Sequence, residues 1–365
     1  MTLILRRNSI QQATGDRVRV FASATSAVEL LALGEPDMRW IVGIVLGMLS
    51  TTASAEEPAV HAREVDAAIS RGLNFLVQDA AAWKAKHNCV SCHHAALVIW
   101  AMQEARQSGS KVDEPALAEL TRWVAESGDG RTGVPRPDGI PKALNAKAVW
   151  FALGLAADPN PAHVSRQGQR LMLQTIVRDQ GENGQWFSWP NTRPPIFGNS
   201  DESMTALATL ALSSASAAED QTVIAARDKG LRWLAETPSD NDPQSLAVRV
   251  ILGARLRRPA AEWEPLVRLI KERQQADGGW RQADSMPSDA WATGQALYAL
   301  AQAGLGSDDL SIERGRASLI KSQRANGSWA MTSRPTKPGD DGADSLIPIT
   351  GAGSAWAVLG LVRSR

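Results

Sequence analysis

One heptapeptide is spelled three times in this chain. Gln180 to Trp186, Gln274 to Trp280 and Gln323 to Trp329 all read QxxxGxW, with the glycines at Gly184, Gly278 and Gly327. Their starts lie 94 and 49 residues apart, which is two periods and one of a single repeat. A period of that size belongs to stacked supersecondary units, none of which can bury its apolar face alone. Thirteen Trp against one Tyr and five Phe fits such a repeat, because the Trp recur in similar surroundings.

Each motif is flanked by two apolar-periodic stretches that read as helices. The stretches before the motifs are 169–178, 263–275 and 312–323; those after them are 203–212, 291–303 and 354–362. The second set is apolar on nearly all sides and rich in Ala, Gly and Leu, which predicts buried helices. Degenerate copies occupy 63–77 with 95–106, 115–125 with 145–156, and 221–235 with 244–256. Small echoes hold the register: Arg71-Gly72, Lys229-Gly230 and Arg314-Gly315 sit at similar places. The count is six helical hairpins. Six amphipathic helices outside and six apolar ones inside predict an all-α, closed α/α toroid, which needs no polar caps at open ends.

The three QxxxGxW motifs resemble the QW repeats of the squalene-hopene cyclase and prenyltransferase superfamily, whose fold is an α/α toroid. The resemblance spans roughly residues 63 to 363 as a pattern and is specific in the second half. It implies structural roles for Gln180, Gln274 and Gln323 as helix caps and for Trp186, Trp280 and Trp329 as rings stacked on the next unit. The physics agrees: Gly stops the helix, and Trp covers its end while the indole N–H finds a partner. The chain lacks the Asp-x-Asp-Asp acid that the resemblance would imply for a terpene cyclase, and both its cysteines are committed to a motif other than the Asp, Cys and His triad that it would imply for a zinc prenyltransferase. Asp340-Asp341-Gly342-Ala343-Asp344 spells DDxxD, but after Pro335, Pro338 and Gly339 it is expected in a solvated loop.

The only two cysteines carry the chemistry. They lie in Asn88-Cys89-Val90-Ser91-Cys92-His93-His94, and C-x-x-C-H is the c-type haem attachment signature. Thiols three residues apart reach the two vinyl groups on one porphyrin edge, and the adjacent His reaches the iron. Coincidence, from the counts of Cys and His, is on the order of one in ten thousand. The expected cofactor is therefore a covalent haem c, on Cys89 and Cys92 with His93 as proximal iron ligand. Met286, Met331 and His87 are candidates for the distal position, although packing is the ordinary use of a Met. A Cys89–Cys92 disulfide, in a non-catalytic toroid binding a ligand, is the main alternative; zinc lacks further ligands at the usual spacing. A cyclase-like enzyme without its acid is a further alternative, resting on fold analogy alone.

The remaining features place the protein and its partners. Residues 38–55 read as a secretory signal, with Arg39, an apolar run from Trp40 to Leu49, and Ala53-Ser54-Ala55 for cleavage; residues 1–37 read as a non-native extension. The apolar run is too short for a stable membrane span, so a periplasmic or secreted single domain over 56–365 is expected. Lys plus Arg and Asp plus Glu are equal at 39 each, which offers no basic face for nucleic acid. The connectors that carry the motifs should gather at one mouth of the ring. The haem would lie there with Asp201, Glu202, Asp289, Trp291 and the DDxxD acids, facing a redox partner protein or a small molecule. His61 and His163 read as surface residues.

Overall fold

Twelve α-helices form among the described residues, which in this computed structural model are 62–87, 89–127, 146–188, 195–196, 200–214, 220–332, 334 and 343–365. In chain order they are α1 (Ala62–Lys86), α2 (Leu97–Gln107), α3 (Glu114–Ala125), α4 (Ala146–Ala156), α5 (His163–Arg178), α6 (Asp201–Ala211), α7 (Gln221–Glu236), α8 (Pro243–Arg255), α9 (Glu264–Glu272), α10 (Ala290–Gln302), α11 (Leu310–Ser322) and α12 (Ala343–Arg363). Aspartates cap α3, α7, α8, α10 and α11 by accepting backbone N–H groups that have no intrahelical partner. The even-numbered helices are almost wholly buried; in α10 every residue from Ala290 to Leu300 is. Each touches the next: α2 on α4, α4 on α6, α6 on α8, α8 on α10, α10 on α12, and α12 back on α2. The result is a closed α/α toroid of six hairpins.

The three full motifs perform one set of bonds each. The indole Nε1 of Trp186, Trp280 and Trp329 donates to the carbonyls of Ile176, Ile270 and Leu319 at 2.7, 2.7 and 2.8 Å, capping last-turn carbonyls of the outer helix. Their backbone N–H groups donate to the hydroxyls of Thr205, Thr293 and Ser354 on the inner helix of the same hairpin. The Gln amides donate to their own turn and to the next outer helix: Gln180 to Ala226 O, Gln274 to Ser311 O, and Gln323 to Ala68 O at 3.0 Å. Each ring then lies on a glycine. A methyl at Gly230, Gly315 or Gly72 would fall 2.8, 2.8 or 3.1 Å from the rings of Trp186, Trp280 and Trp329. The Arg/Lys-Gly echoes are thus the sockets that receive the preceding hairpin's Trp, and the last hairpin docks into the first through the same chemistry.

Two boundaries differ from expectation. Helix α1 runs to Lys86 rather than ending near residue 77, because no Gly or Pro follows residue 77 within it and Lys84 and Lys86 suit its C-terminal end. Helix α12 starts at Ala343 rather than near 354 and carries Pro348 inside, so Asp344 belongs to a helix and not to a loop. Asp340 and Asp341, the extension over 1–37, the signal over 38–55 and His61 lie outside the described residues; His163 is exposed, as expected. Leu346–Arg363 is long and apolar enough to cross a membrane by composition, but most of it is buried inside the ring as the inner helix of the closing hairpin.

The centre of the ring is filled by aromatic side chains of the inner helices. Trp100, Trp150, Trp291, Trp356 and Tyr298 meet edge to face with centroids 5.3 to 6.5 Å apart. Buried Glu104 anchors this cluster, accepting from the Tyr298 hydroxyl at 2.8 Å and Trp100 Nε1 at 3.2 Å, with Arg363 paired to its other oxygen.

Candidate functional site

The C-x-x-C-H-H segment occupies the connector between α1 and α2. Ser91 sits in extended conformation and its hydroxyl accepts from the N–H groups of His93 and His94, both at 3.2 Å. That cap starts a π-helical turn, Cys92–Ala96, which runs straight into α2. Cys92 and both histidines therefore stand in the first turn of a buried helix, while Cys89 stays on the exposed connector. The two thiols are not bonded to each other.

Their environments differ. Cys89 Sγ lies 3.9 Å from Lys147 Nζ at the start of α4, and the Cys89 carbonyl accepts from Trp83 Nε1 at 3.1 Å. Burial pushes the Cys92 thiol up to about 12, so its sulfur is suited to a neutral thiol or thioether and not to a thiolate. Any thiol exchange in this pair would have to start at the exposed Cys89, not at Cys92.

Behind the motif lies a series of polar groups. His93 Nδ1 is hydrogen-bonded to His94 Nδ1, and His94 Nε2 lies 3.2 Å from Asp79 Oδ2 on α1. The latter distance is that of an ion pair, but the angle is not that of a good hydrogen bond, since neither atom has a well-aligned partner. His94 is fully buried, and Gly351 of α12 packs over it and over Asp79, leaving room for no more than a hydrogen. Trp83 stacks on His94 at 4.2 Å and on His87 at 3.9 Å, and meets His93 edge-on at 5.1 Å. Burial, reinforced by His94 and Lys147, holds His93 well below the ordinary imidazole value, so it is neutral and has a lone pair to give.

Among the expected distal ligands, His87 is on Trp83, Met331 is buried against Gly353 of α12, and Met286 is half-buried in the connector before α10. The rings packed on His93 are those of Trp83 and His94. Among the described residues no three His, Cys, Asp or Glu side chains converge to hold a bare metal ion. Asp79, Trp83 and Lys147 were not singled out in the sequence. Asp79, Trp83 and His87 at i, i+4 and i+8 share one face of a helix that reaches Lys86, a stripe that a helix ending near residue 77 does not contain.

The acids expected at the mouth turn out to hold the structure. Asp201 accepts from the Ser188 N–H and hydroxyl at 2.7 and 2.9 Å. Glu202 is buried, pairs with Arg249 at 2.7 Å and accepts from the Asp240 N–H at 2.6 Å; burial pushes its carboxyl up. Trp291 belongs to the central aromatic cluster. Asp289 caps α10 through Ala292 N–H and accepts from Gln282 Nε2, and burial raises it to about 6. Its folded value lies above its unfolded one, so the neutral form is the better tolerated, and the associated stability is present at pH 4 and lost as pH rises through about 6. Asn, which also caps helices, cannot ionise. Asp289→Asn should therefore gain on the parent between pH 4 and pH 7 by on the order of 1–3 kcal/mol, read from urea melts at both values. A difference that does not change with pH would contradict this.

No known protein-family model matches the chain, and no curated protein matches it. Solved structures do. A glycosidase variant superimposes with a TM-score of 0.53 at 13% identity, covering 83% of this chain and 99% of that one. Another glycosidase variant, in complex with glucose, gives the same values. A variant of the type II terpene cyclase MstE from Scytonema, in complex with geranylgeranyl dihydroxybenzoate, gives 0.50 at 15% identity over 83% and 97%. At such identities the shared property is the α/α-toroid fold.

Proposed function

We propose that this chain is an exported protein carrying one covalently bound haem c, with thioethers at Cys89 and Cys92 and His93 on the iron, acting in electron transfer or a related redox step. The observation that carries the reading is the His93–His94–Asp79 series behind the motif. A histidine that ligates through one ring nitrogen needs the other engaged, so that tautomer and orientation are fixed. The Asp79 carboxylate, 3.2 Å from His94 Nε2, favours the proton on that nitrogen by charge; His94 Nδ1 then accepts from His93 Nδ1–H, and Nε2 of His93 is the nitrogen left for iron. Asp79 and His94 are thus positioning residues. The burial of Cys92 fits an uncharged thioether sulfur and implies attachment before the ring has closed over it. Exposed Cys89 sets the open edge of the site. Bound haem would supply one-electron chemistry whose potential the axial ligands tune; His87, Met286 and Met331 remain the candidates opposite His93. The activities of the fold neighbours do not come with the fold, and five rings occupy the space where a toroid would hold a large substrate.

The variant series that tests this is made in a host with haem-maturation machinery. Cys89→Ser should retain one thioether and shift the pyridine haemochrome band, whereas His93→Ala should mature poorly or give misligated iron. Titratable thiol in Cys89→Ser, an unaffected His93→Ala and no iron by elemental analysis would overturn the assignment in favour of a disulfide protein.

A further inference from the structure

Five rings share the centre of the toroid, and what distinguishes them is where each can send a proton. The indole N–H groups of Trp291 and Trp356 have no hydrogen-bond partner among the described residues. That of Trp150 donates to the Ile196 carbonyl at 2.8 Å, which is no base. Trp100 and Tyr298 face a carboxylate: the Tyr298 hydroxyl donates to Glu104 Oε1 at 2.8 Å and Trp100 Nε1 to the same oxygen at 3.2 Å, both within reach for proton transfer. Arg363 is paired to the other Glu104 oxygen, and Arg255 donates to the Tyr298 hydroxyl at 3.2 Å. Glu104 and Tyr298 are both buried, yet nothing in the haem chemistry proposed above uses either.

A phenol or indole that loses an electron becomes a strong acid, and the oxidising charge settles where a neighbouring base takes the proton. In this cluster that place is Tyr298 with Glu104. Burial, and then the Glu104 charge, push the Tyr298 hydroxyl above the ordinary phenol value, so it keeps its proton until it is oxidised. The rings touch throughout: Trp150 and Trp291 meet Trp356 at 6.5 and 6.0 Å between centroids, and Trp356 meets Trp100 and Tyr298 at 5.3 and 5.9 Å. Trp100 follows His93 on one continuous helical run, about 10 Å further along its axis. Glu104 and Tyr298 lie in the C-terminal halves of α2 and α10, which run away from the motif-bearing connectors. We infer that Tyr298 and Glu104 form a second redox centre, an oxidisable tyrosine with its own proton acceptor, at the end of the inner helices remote from Cys89. The step balances within the cluster: an electron passes from Tyr298 to the radical cation of Trp100, the hydroxyl proton passes to Glu104, and a neutral tyrosyl radical and a protonated carboxyl result. The first oxidising equivalent comes from a one-electron oxidant. In the haem protein that oxidant is the iron raised by peroxide, and on this point alone the inference rests on the haem reading.

The test oxidises the full mature chain with photogenerated tris(bipyridine)ruthenium(III) and reads the radicals by transient absorption and electron paramagnetic resonance. Tyr298 is the chain's one tyrosine, so any tyrosyl signal is its own. The parent should give a neutral tyrosyl signal, and Tyr298→Phe, which keeps the ring, should give tryptophan radicals only. Glu104→Gln, which keeps the shape but takes no proton, should slow tyrosyl formation by roughly a hundredfold, the effect of losing a positioned base. If that variant fails to fold, the parent decides: tyrosyl formation should slow in D2O and be indifferent to buffer concentration, because the proton stays inside the pair. No tyrosyl signal in the parent, an undiminished rate in folded Glu104→Gln, or a rate that rises with buffer would each overturn the inference. Ruthenium acts with or without haem, so a colourless protein that yields the Tyr298 radical fails the haem assignment alone, and a haem protein that yields none fails this inference alone.

Discussion

Replacing Trp329 with Ala should lower stability by about 3–5 kcal/mol, the cost of deleting a buried Trp and leaving its cavity. The side chain is fully buried, caps Leu319 O, and rests on Gly72 of the first hairpin. It therefore joins the last unit to the first, and its loss opens the ring where no covalent link exists. Against a total of about 5–15 kcal/mol for a domain, that is a large share. The expected result is a lower midpoint in urea and heat, with haem attachment still possible in the material that folds. An unchanged melting temperature would mean that Trp329 does not close the ring.

Gly294→Ala should also be strongly destabilising, although in an ordinary helix the same change is favourable by about 1 kcal/mol. Here a Cβ would press on the backbone of Trp356 and Ala357 of α12, and Gly360 in turn meets Gly294. A backbone atom inside a buried helix cannot move aside as a side-chain tip can, so the two inner helices must separate along their crossing. A loss of about 3 kcal/mol or more follows, at the upper end of overpacking costs. A melting curve equal to or better than the parent's would show that α10 and α12 do not approach this closely.

The hairpin count, the ring and the structural use of the motif were legible in the sequence because each rests on periodic burial and on a repeated turn. Trp186, Trp280 and Trp329 bond to carbonyls ten residues upstream as a helix stop should. What closes the ring was visible only as an unexplained echo, since Arg71-Gly72 acquires meaning when Trp329 is brought onto it from the other end of the chain. The filling of the centre was not legible either: Trp100, Trp150 and Trp356 fall within predicted helices and Trp291 is expected at the mouth, and neither reading brings the four rings together. At the candidate site the motif gave Cys89, Cys92 and His93, but Asp79 and Lys147 come from other helices; Lys147 carries no signal of its own, and Asp79 shows one only in a helix that reaches Lys86.

The most direct test of the account is the state of Cys89 and Cys92 in the mature protein. Purified from a host competent in haem maturation, the intact chain should gain the mass of one haem. Its Soret band should stay with the denatured polypeptide through acid-acetone extraction, and digestion should yield a single haem-bearing peptide containing Cys89, Cys92 and His93. A folded, colourless protein of unmodified mass from the same host, with both cysteines free or joined to each other, would contradict it.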